Sequence, residues 1–345
     1  MNNKLKIVEK KNIFFIISAI IIIAGIVLLI VPGLNLGLDF TEGASVQVYL
    51  NVPSSDKDSG YVADVESYIE DSGFEVGNTR ITSDGGNSVL QFDLRYRYNN
   101  AKVANDEFAD LLGSEEEGLI GDVIKYINEG NVVTDDIDVD YVDKVTYTFT
   151  APDATDSLTR RAILAIAIAI VAMLIYIAIR FKLTSGIAAV IVLIHDVFVM
   201  LTLTAAFRIT VNTTFIAAII TVIGYSINAT IIVFDRIKEN LKLYEGQGLS
   251  DTDVANISIK ETMRRTIFTT ITTLVMIVLI AILGVPTIRQ FALPIIFGLL
   301  SGVYSAIILS SCVWVQIRKI AKKIVPEKKS GYSKYAKEKK TEAKA

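Results

Sequence analysis

The sequence predicts a membrane α-helical protein with six transmembrane helices and one exterior α+β domain inserted after the first, and three observations carry that prediction. Apolar residues make up 52% of the 345-residue chain, and most are gathered into long uncharged runs. A polar, acidic stretch of about 125 residues separates the first run from the second. Within that stretch, segments of strand and helix character follow one another in the order βαββαβ, which matches a ferredoxin-like sandwich.

The runs come first. Ile13 to Val31, Ala162 to Ile179, Ile209 to Phe234, Thr266 to Ile288 and Ala292 to Ile317 carry no charge. Each is near or above the ~20 residues that cross a bilayer. Leu183 to Phe207 makes a sixth, broken only by His195 and Asp196. Lysines precede the first run, as in a secretory signal, but its apolar stretch exceeds the ~7–15 residues of a signal core and no small-x-small site follows, so it reads as an uncleaved anchor. The single Cys312 lies in the last run and reads as a small packing residue.

Charge orients the chain. Lys and Arg near span ends favour the cytoplasmic side. They cluster at the amino terminus (Lys4, Lys6, Lys10, Lys11), at Arg180 and Lys182, in a loop from Asp235 to Arg265, and in the Lys-rich tail after Ile317. Those are alternate loops, so both termini fall inside. The residues from Gly33 to Ser157, with 26 acidic and 7 basic side chains, fall outside with the turns at Arg208 and Arg289. Arg160 and Arg161, at the outer start of the second span, run against the bias. The resulting divisions are 1–33 (amino terminus and first helix), 34–157 (exterior domain), 158–317 (five-helix bundle) and 318–345 (basic tail).

In the exterior domain, ASVQVYLNV alternates as a strand and DVESYIEDSG reads as a short amphipathic helix. VGNTRITS and NSVLQFDLRY form a hairpin across DGGN, a helical stretch runs from about Ala101 to Asn128, and VDYVDKVTYTF closes as a strand. Such a fold has no chemistry of its own. Its acidity reads first as a solvated surface, with a cation site or client-binding face as the alternatives.

The residues able to do work lie in the spans. A carboxylate at mid-bilayer costs several kcal/mol, so it marks function by default. Asp196 sits at the centre of the third span beside His195, the only histidine, with no other charge within ten residues on either side. The alternative is an Asp that fixes helix packing through neighbouring Thr or Ser groups. On the fourth span Thr221, Tyr225, Asn228 and Asp235 share one stripe, with Gly224 beside it and Thr230 nearby, which should face protein or water. Thr266, Thr269, Thr270 and Thr273 make a hydroxyl face on the fifth, and Gly298, Ser301, Gly302 and Ser305 a small-residue face on the sixth. Taken alone, these two faces read as helix-packing glue.

The composition excludes several classes. One His and one Cys leave no zinc set and no histidine-based nucleophile pair, and there is neither a Walker A loop nor a G-x-G-x-x-G turn. No enzyme, metal, cofactor or nucleic-acid function is expected. An intramembrane acid with polar stripes suits coupling to an ion gradient, in which protonation of a carboxylate switches a helix arrangement.

Four motifs then show a resemblance over nearly the whole chain. GLDFTEGASVQV after the first span, YIAIRFKLTSGIAAVIVLIHDV across the second and third, IGYSINATIIVFDRIKEN in the fourth and RRTIFTTITTL opening the fifth resemble the SecF family, the smaller membrane subunit of the bacterial SecDF protein-export complex in the resistance-nodulation-division superfamily. The resemblance implies a half-transporter of the cytoplasmic membrane. It would pair with SecD and use a proton or sodium gradient to draw exported polypeptides outward after SecYEG and SecA have moved them. It also implies a motif at the outer face in Gly37, Asp39, Phe40 and Thr41, and ion coupling through the fourth and fifth spans.

Two positions depart from the family's pattern. Glu42 stands where the first motif has Gly. Ala229 stands where the fourth-span motif has the Asp assigned to the proton relay, which leaves Asn228 without a proton to carry and puts Arg265, the matching fifth-span arginine, in doubt. Titration in this subunit therefore falls to Asp196, with His195, Asn228 and Arg265 as the accompanying candidates and Thr221, Gly224, Tyr225, Thr230, Asp235, Thr269 and Thr273 as the polar helix interface. Two other readings compete: a non-transporting scaffold clasping SecD and SecYEG, which Ala229 favours, and a half-size efflux transporter, which the single exterior domain disfavours.

Overall fold

The computed structural model describes residues 6–53, 60–84, 87–99, 101–113, 117–127, 142–150, 152–284 and 286–324. The glycines of the DGGN turn, residues 139–141 of the expected last strand, and the basic tail beyond 324 lie outside the described residues. Six helices among them are long and apolar enough to cross a membrane.

The first, α1 (Lys11–Ile30), follows a short 3-10 turn at Val8–Lys10. The α+β domain comes next: β1 (Gly43–Pro53), α2 (Gly60–Asp71), β2 (Phe74–Asp84), β3 (Asn87–Tyr98), β4 (Ala101–Lys102), α3 (Asn105–Leu112), α4 (Gly118–Tyr126) and β5 (Val142–Thr150). The strands form one antiparallel sheet in the order β2-β3-β1-β5, with β4 paired to β3. Inward residues of the central strands, Ala44, Val46, Val48 and Leu50 with Leu90, Phe92, Leu94 and Tyr96, alternate as a half-buried sheet requires. They pack against Val65 and Ile69 of α2, Phe108 and Leu112 of α3, and Leu119, Ile120 and Val123 of α4. The expected single helix from Ala101 to Asn128 is corrected to two. Gly113 and Gly118 adopt φ of +70° and +76°, left-handed backbone that ends one helix and offsets the next.

The chain then enters α5 (Pro152–Arg180), α6 (Leu183–Ala206), α7 (Thr213–Leu243), α8 (Asp251–Leu283), α9 (Pro286–Tyr304) and α10 (Ser310–Ile324). α5 thus starts inside the stretch assigned to the exterior domain. The expected loop from Asp235 to Arg265 is likewise corrected. α7 and α8 continue through it as a helical hairpin, joined at residues 244–250, where Ser250 and Asp253 make a capping box for α8.

Between α9 and α10 the sixth span is interrupted by a π-helical turn, Ser305–Leu309. α6, α7 and the sixth span form the buried centre, while α1, α5 and α8 expose long isoleucine and leucine faces suited to lipid. The central helices approach closely through glycine. A Cβ on Gly298 of α9 would lie 2.3 Å from Val222 Cγ2 of α7, and one on Gly25 of α1 would lie 2.1 Å from Thr202 Oγ1 of α6.

Candidate functional site

Asp196 is fully buried at the middle of α6. Three serine hydroxyls from two other segments of the chain meet its carboxylate. Ser301 of α9 donates to Oδ1 at 2.7 Å, and Ser226 of α7 and Ser305 of the π turn donate to Oδ2 at 2.5 and 2.6 Å. His195 Nδ1 lies 3.2 Å from Oδ1. Gly302 lies beside the cluster, where a Cβ would make only ordinary contacts, 3.7 Å from Ser226 Cβ and 3.9 Å from Oδ2.

The π turn matters to the geometry. Such a turn inserts one residue into the helix and concentrates at functional sites. Here it begins at Ser305, one of the carboxylate's partners. Ser305 Oγ also reaches Gly302 O at 3.2 Å, so one hydroxyl proton has two acceptors in range. A hydroxyl donates once but accepts as well. The cluster can therefore hold an ionised carboxylate with three donors, or a protonated one with Ser305 turned to the Gly302 carbonyl.

His195 is buried too, and its Nε2 has no hydrogen-bond partner. Its ring centroid lies 6.1 Å from that of Tyr304. Tyr304 Oη donates to Phe14 O at 3.1 Å and lies 3.3 Å from Ser18 Oγ. A polar line thus runs from Asp196 past His195 to α1.

The remaining predicted residues divide between two faces. Thr221, Gly224 and Asn228 are exposed on α7, and no atom lies within 4 Å of where a Gly224 Cβ would be. Arg265 and Thr269 are exposed on α8. Tyr225 is half-buried and donates from Oη to Thr270 Oγ1 at 2.9 Å, joining the two helices. Thr269 and Thr273 bond back to carbonyls of their own helix. Thr230, by contrast, is buried on the inner side of α7 one turn beyond Ser226, and Ala229 is buried as well. Asp235 pairs with Arg180 of α5 at the end of the bundle away from the domain. The structure therefore brings Asp196 and His195 together and leaves Asn228 of α7 and Arg265 of α8 exposed, away from that cluster. The serines around the carboxylate were not singled out as its ligands, although a lone intramembrane acid needs donors and Ser301 and Ser305 stand one turn apart.

At the domain end, the segment after α1 is stitched to the start of α7. Gly37 N donates to Val211 O at 2.8 Å and Val211 N to Asn35 O at 2.8 Å. Asp39 Oδ2 accepts from Thr213 N at 2.7 Å, which puts a carboxylate at the positive end of α7. A Cβ on Gly37 would lie 3.1 Å from Thr210 Cγ2 and 3.3 Å from the Val211 carbonyl, so a side chain there would press on the pairing by a few tenths of an ångström. Thr41 Oγ1 donates back to Gly37 O at 3.1 Å, and Phe40 packs on the bundle core. Arg208 donates to the Pro32 and Gly33 carbonyls and completes the clasp.

Residues 132–320 match the family model described as protein export membrane protein SecD/SecF, C-terminal. The chain is 32% identical to the protein translocase subunit SecF of Alicyclobacillus acidocaldarius over 92% of its own length and 94% of that protein. It is also 32% identical to the protein translocase subunit SecDF of Bacillus subtilis, over 89% of its own length but only 37% of the relative. A crystal structure of SecDF, a translocon-associated membrane protein from Thermus thermophilus, shares the fold with a TM-score of 0.68 at 24% identity, covering 92% of this chain and 39% of that one.

Proposed function

From the premise that this chain belongs to the SecD/SecF family of protein-export membrane proteins as a SecF-type subunit, we propose that it assists polypeptide export by coupling ion movement at Asp196 to rearrangement of its helices. It works with a SecD partner beside SecYEG and SecA in the bacterial cytoplasmic membrane. Both termini are cytoplasmic, and the α+β domain is exterior and ferredoxin-like. The strand order β2-β3-β1-β5 supports that last reading, because it places the first and third long strands at the centre of the sheet.

The observation that carries the proposal is the buried carboxylate held by three hydroxyls from α7 and the sixth span. Loss or gain of a proton there changes which hydroxyls donate, and those hydroxyls belong to different segments. Protonation at Asp196 is thereby converted into a preference for one arrangement of α6 against α7 and the π turn. The exposed residues Thr221, Gly224, Asn228 and Thr269, with the half-buried Tyr225 between them, face SecD.

The test is Asp196→Asn, which preserves shape and most hydrogen bonding but removes the proton equilibrium. The expected outcome is normal protein level and SecD pairing, with loss of the part of reporter secretion that depends on an imposed gradient. Full gradient-dependent secretion by the variant would leave the scaffold reading, to which the buried methyl of Ala229 lends weight since it offers no titrating group on α7.

A further inference from the structure

The sheet of the α+β domain has two edges, and they are built differently. β2 is interrupted by register shifts against β3 between Phe74 and Val76 and between Val76 and Asn78, and it carries Glu75, Arg80 and Asp84. β5 runs against β1 without a shift from Lys144 to Thr150, and its last six residues, VTYTFT, hold no charge and only β-branched or aromatic side chains. Folded proteins blunt exposed edges with bulges, charges and proline, because an open row of N–H and C=O groups is a template for another extended chain. β2 is blunted in this way and β5 is not.

Which groups of β5 are open follows from the neighbouring ladder. Tyr96 N of β3 donates to Glu42 O at 3.4 Å and Tyr96 O accepts from Val103 N at 3.1 Å, so both of its backbone groups point away from β2. Backbone direction alternates along antiparallel strands, which turns the even-numbered residues of β3 and β1 toward each other and Ser45, Gln47 and Tyr49 toward β5. Their partners Thr148, Thr146 and Lys144 are thereby used, and Val145, Tyr147 and Phe149 turn their N–H and C=O groups outward. Among the described residues no backbone partner meets those outward groups. The side chain of Val145 is buried on the helix-covered face, but Tyr147 and Phe149 on that face are 49% and 38% exposed, with ring centroids 5.5 Å apart. Open backbone and open rings belong to the same residues.

That arrangement narrows the occupant. Alternating donors and acceptors along an edge are met by extended backbone, and exposed rings on one face receive every second side chain of the added strand. Charge narrows it further. Residues Gly33 to Ser157 carry 26 acidic and 7 basic side chains, so a second copy of the domain is repelled and a segment of net positive charge is drawn in. β5 also passes within two residues of Thr150 into α5, which crosses the membrane, so one end of the edge is tied to the bundle.

We propose that the open edge of β5 captures an extended, basic segment of exported polypeptide as an added strand, with the backbone groups of Val145, Tyr147 and Phe149 pairing with it and the Tyr147 and Phe149 rings packing on its side chains. The inference rests on the reading that this chain assists polypeptide export. It names where the polypeptide is held, and it explains why this edge, unlike β2, carries no bulge or charge over its last six residues. Backbone pairing is indifferent to side-chain order, which suits a site that must take many sequences.

The full chain in mild detergent is titrated with a fluorescein-labelled nonapeptide alternating lysine and valine, and amide hydrogen exchange is followed residue by residue. In the free chain Thr146 and Thr148 should exchange slowly and Val145, Tyr147 and Phe149 fast, and saturating peptide should slow only the latter three. Tyr147→Pro removes an outward N–H without touching the β1 ladder and should weaken binding about tenfold, the scale of one hydrogen bond. Tyr147→Ala keeps that N–H and should weaken binding less. Slow exchange of the three amides before peptide is added, slowing that grows with protein concentration alone, or slowing by SecD that the peptide cannot displace would each overturn the proposal and assign the edge to this chain's own segments, a second copy or SecD. Equal binding of a nonapeptide alternating glutamate and valine, or equal effects of the two variants, would overturn it as well. Asp196→Asn should bind the peptide unchanged. If the peptide fails to bind while Asp196→Asn loses gradient-dependent secretion, the edge proposal alone falls.

Discussion

Two polar surfaces of α7 lie on opposite sides of one helix and have different fates. On the inner side Ser226 and Thr230 are buried, and Ser226 bonds to the fully buried Asp196. On the outer side Thr221, Gly224 and Asn228 are exposed, as are Arg265 and Thr269 of α8. Composition does not separate the two, since each carries hydroxyls and small residues. What separates them is a partner within the chain. The inner side has a carboxyl acceptor within the chain, and Ser226 is spent on it, while the Thr230 hydroxyl is buried without a partner. The outer side has a half-buried Tyr225 bridging to Thr270 and otherwise bonds that return to its own helices. Small and polar residues left on a membrane helix surface are the usual material of helix association, so the same helix divides its work between an internal site and an external joint.

The inner side is where substitution should cost most. Ser301→Ala combined with Ser305→Ala leaves the buried carboxylate with Ser226 and His195 alone. Hydrogen bonds to a charged group contribute about 1.5–3 kcal/mol each, reduced inside membranes, so the pair should destabilise the chain by about 3 kcal/mol. Reversible unfolding in mixed micelles measures this. Adding Asp196→Asn to the double variant should recover part of the loss, because the amide brings donors of its own and needs fewer hydroxyls than a carboxyl. An equal loss in the presence and absence of the carboxylate would show that the serines serve packing alone.

Glycine offers a second contrast. Gly298→Ala places a methyl 2.3 Å from Val222 Cγ2, where α7 and α9 cross. A backbone shift or strained rotamer must follow, at about 1–3 kcal/mol. Gly224→Ala meets nothing within 4 Å and should raise stability slightly, by up to about 1 kcal/mol, through helix propensity. Melting the two variants side by side checks both signs at once. A destabilising Gly224→Ala would mean that the outer face is covered within the chain itself.

How much of this was legible beforehand follows from the physics of each signal. The six spans and the strand and helix segments of the domain were readable because burial in lipid or in one sheet face imposes long runs or period-two alternation on the sequence. The split between α3 and α4 was missed although GSEEEG at 113–118 holds no apolar residue and two glycines, a break signal that the amphipathic segments on either side outweighed. The extended α7–α8 hairpin was missed because its charges, such as Arg236 with Glu239 and Glu261, look like a loop until paired. In the site, Asp196 announced itself by its cost. Its serine partners did not, because on a sixth span rich in small residues the π turn that aims Ser305 leaves no mark in the sequence.

The outer face gives the smallest expected effect on the chain alone and the sharpest test of the contrast. Asn228→Ala and Arg265→Ala change exposed side chains, and surface substitutions of this kind usually move stability by no more than about 0.5 kcal/mol. Unfolding of the isolated chain should therefore be unchanged within that margin. Association should respond where folding does not. With SecD present, an amide and a guanidinium on the open face lose whatever partners they meet across the joint, so fluorescence titration of labelled SecD against the variant should show a dissociation constant several-fold higher, with Asn228→Ala also giving a secretion defect weaker than that of Asp196→Asn. A variant that melts early while binding SecD normally would place Asn228 and Arg265 in the folding of this chain rather than in its pairing, and the two sides of α7 would then differ only in depth.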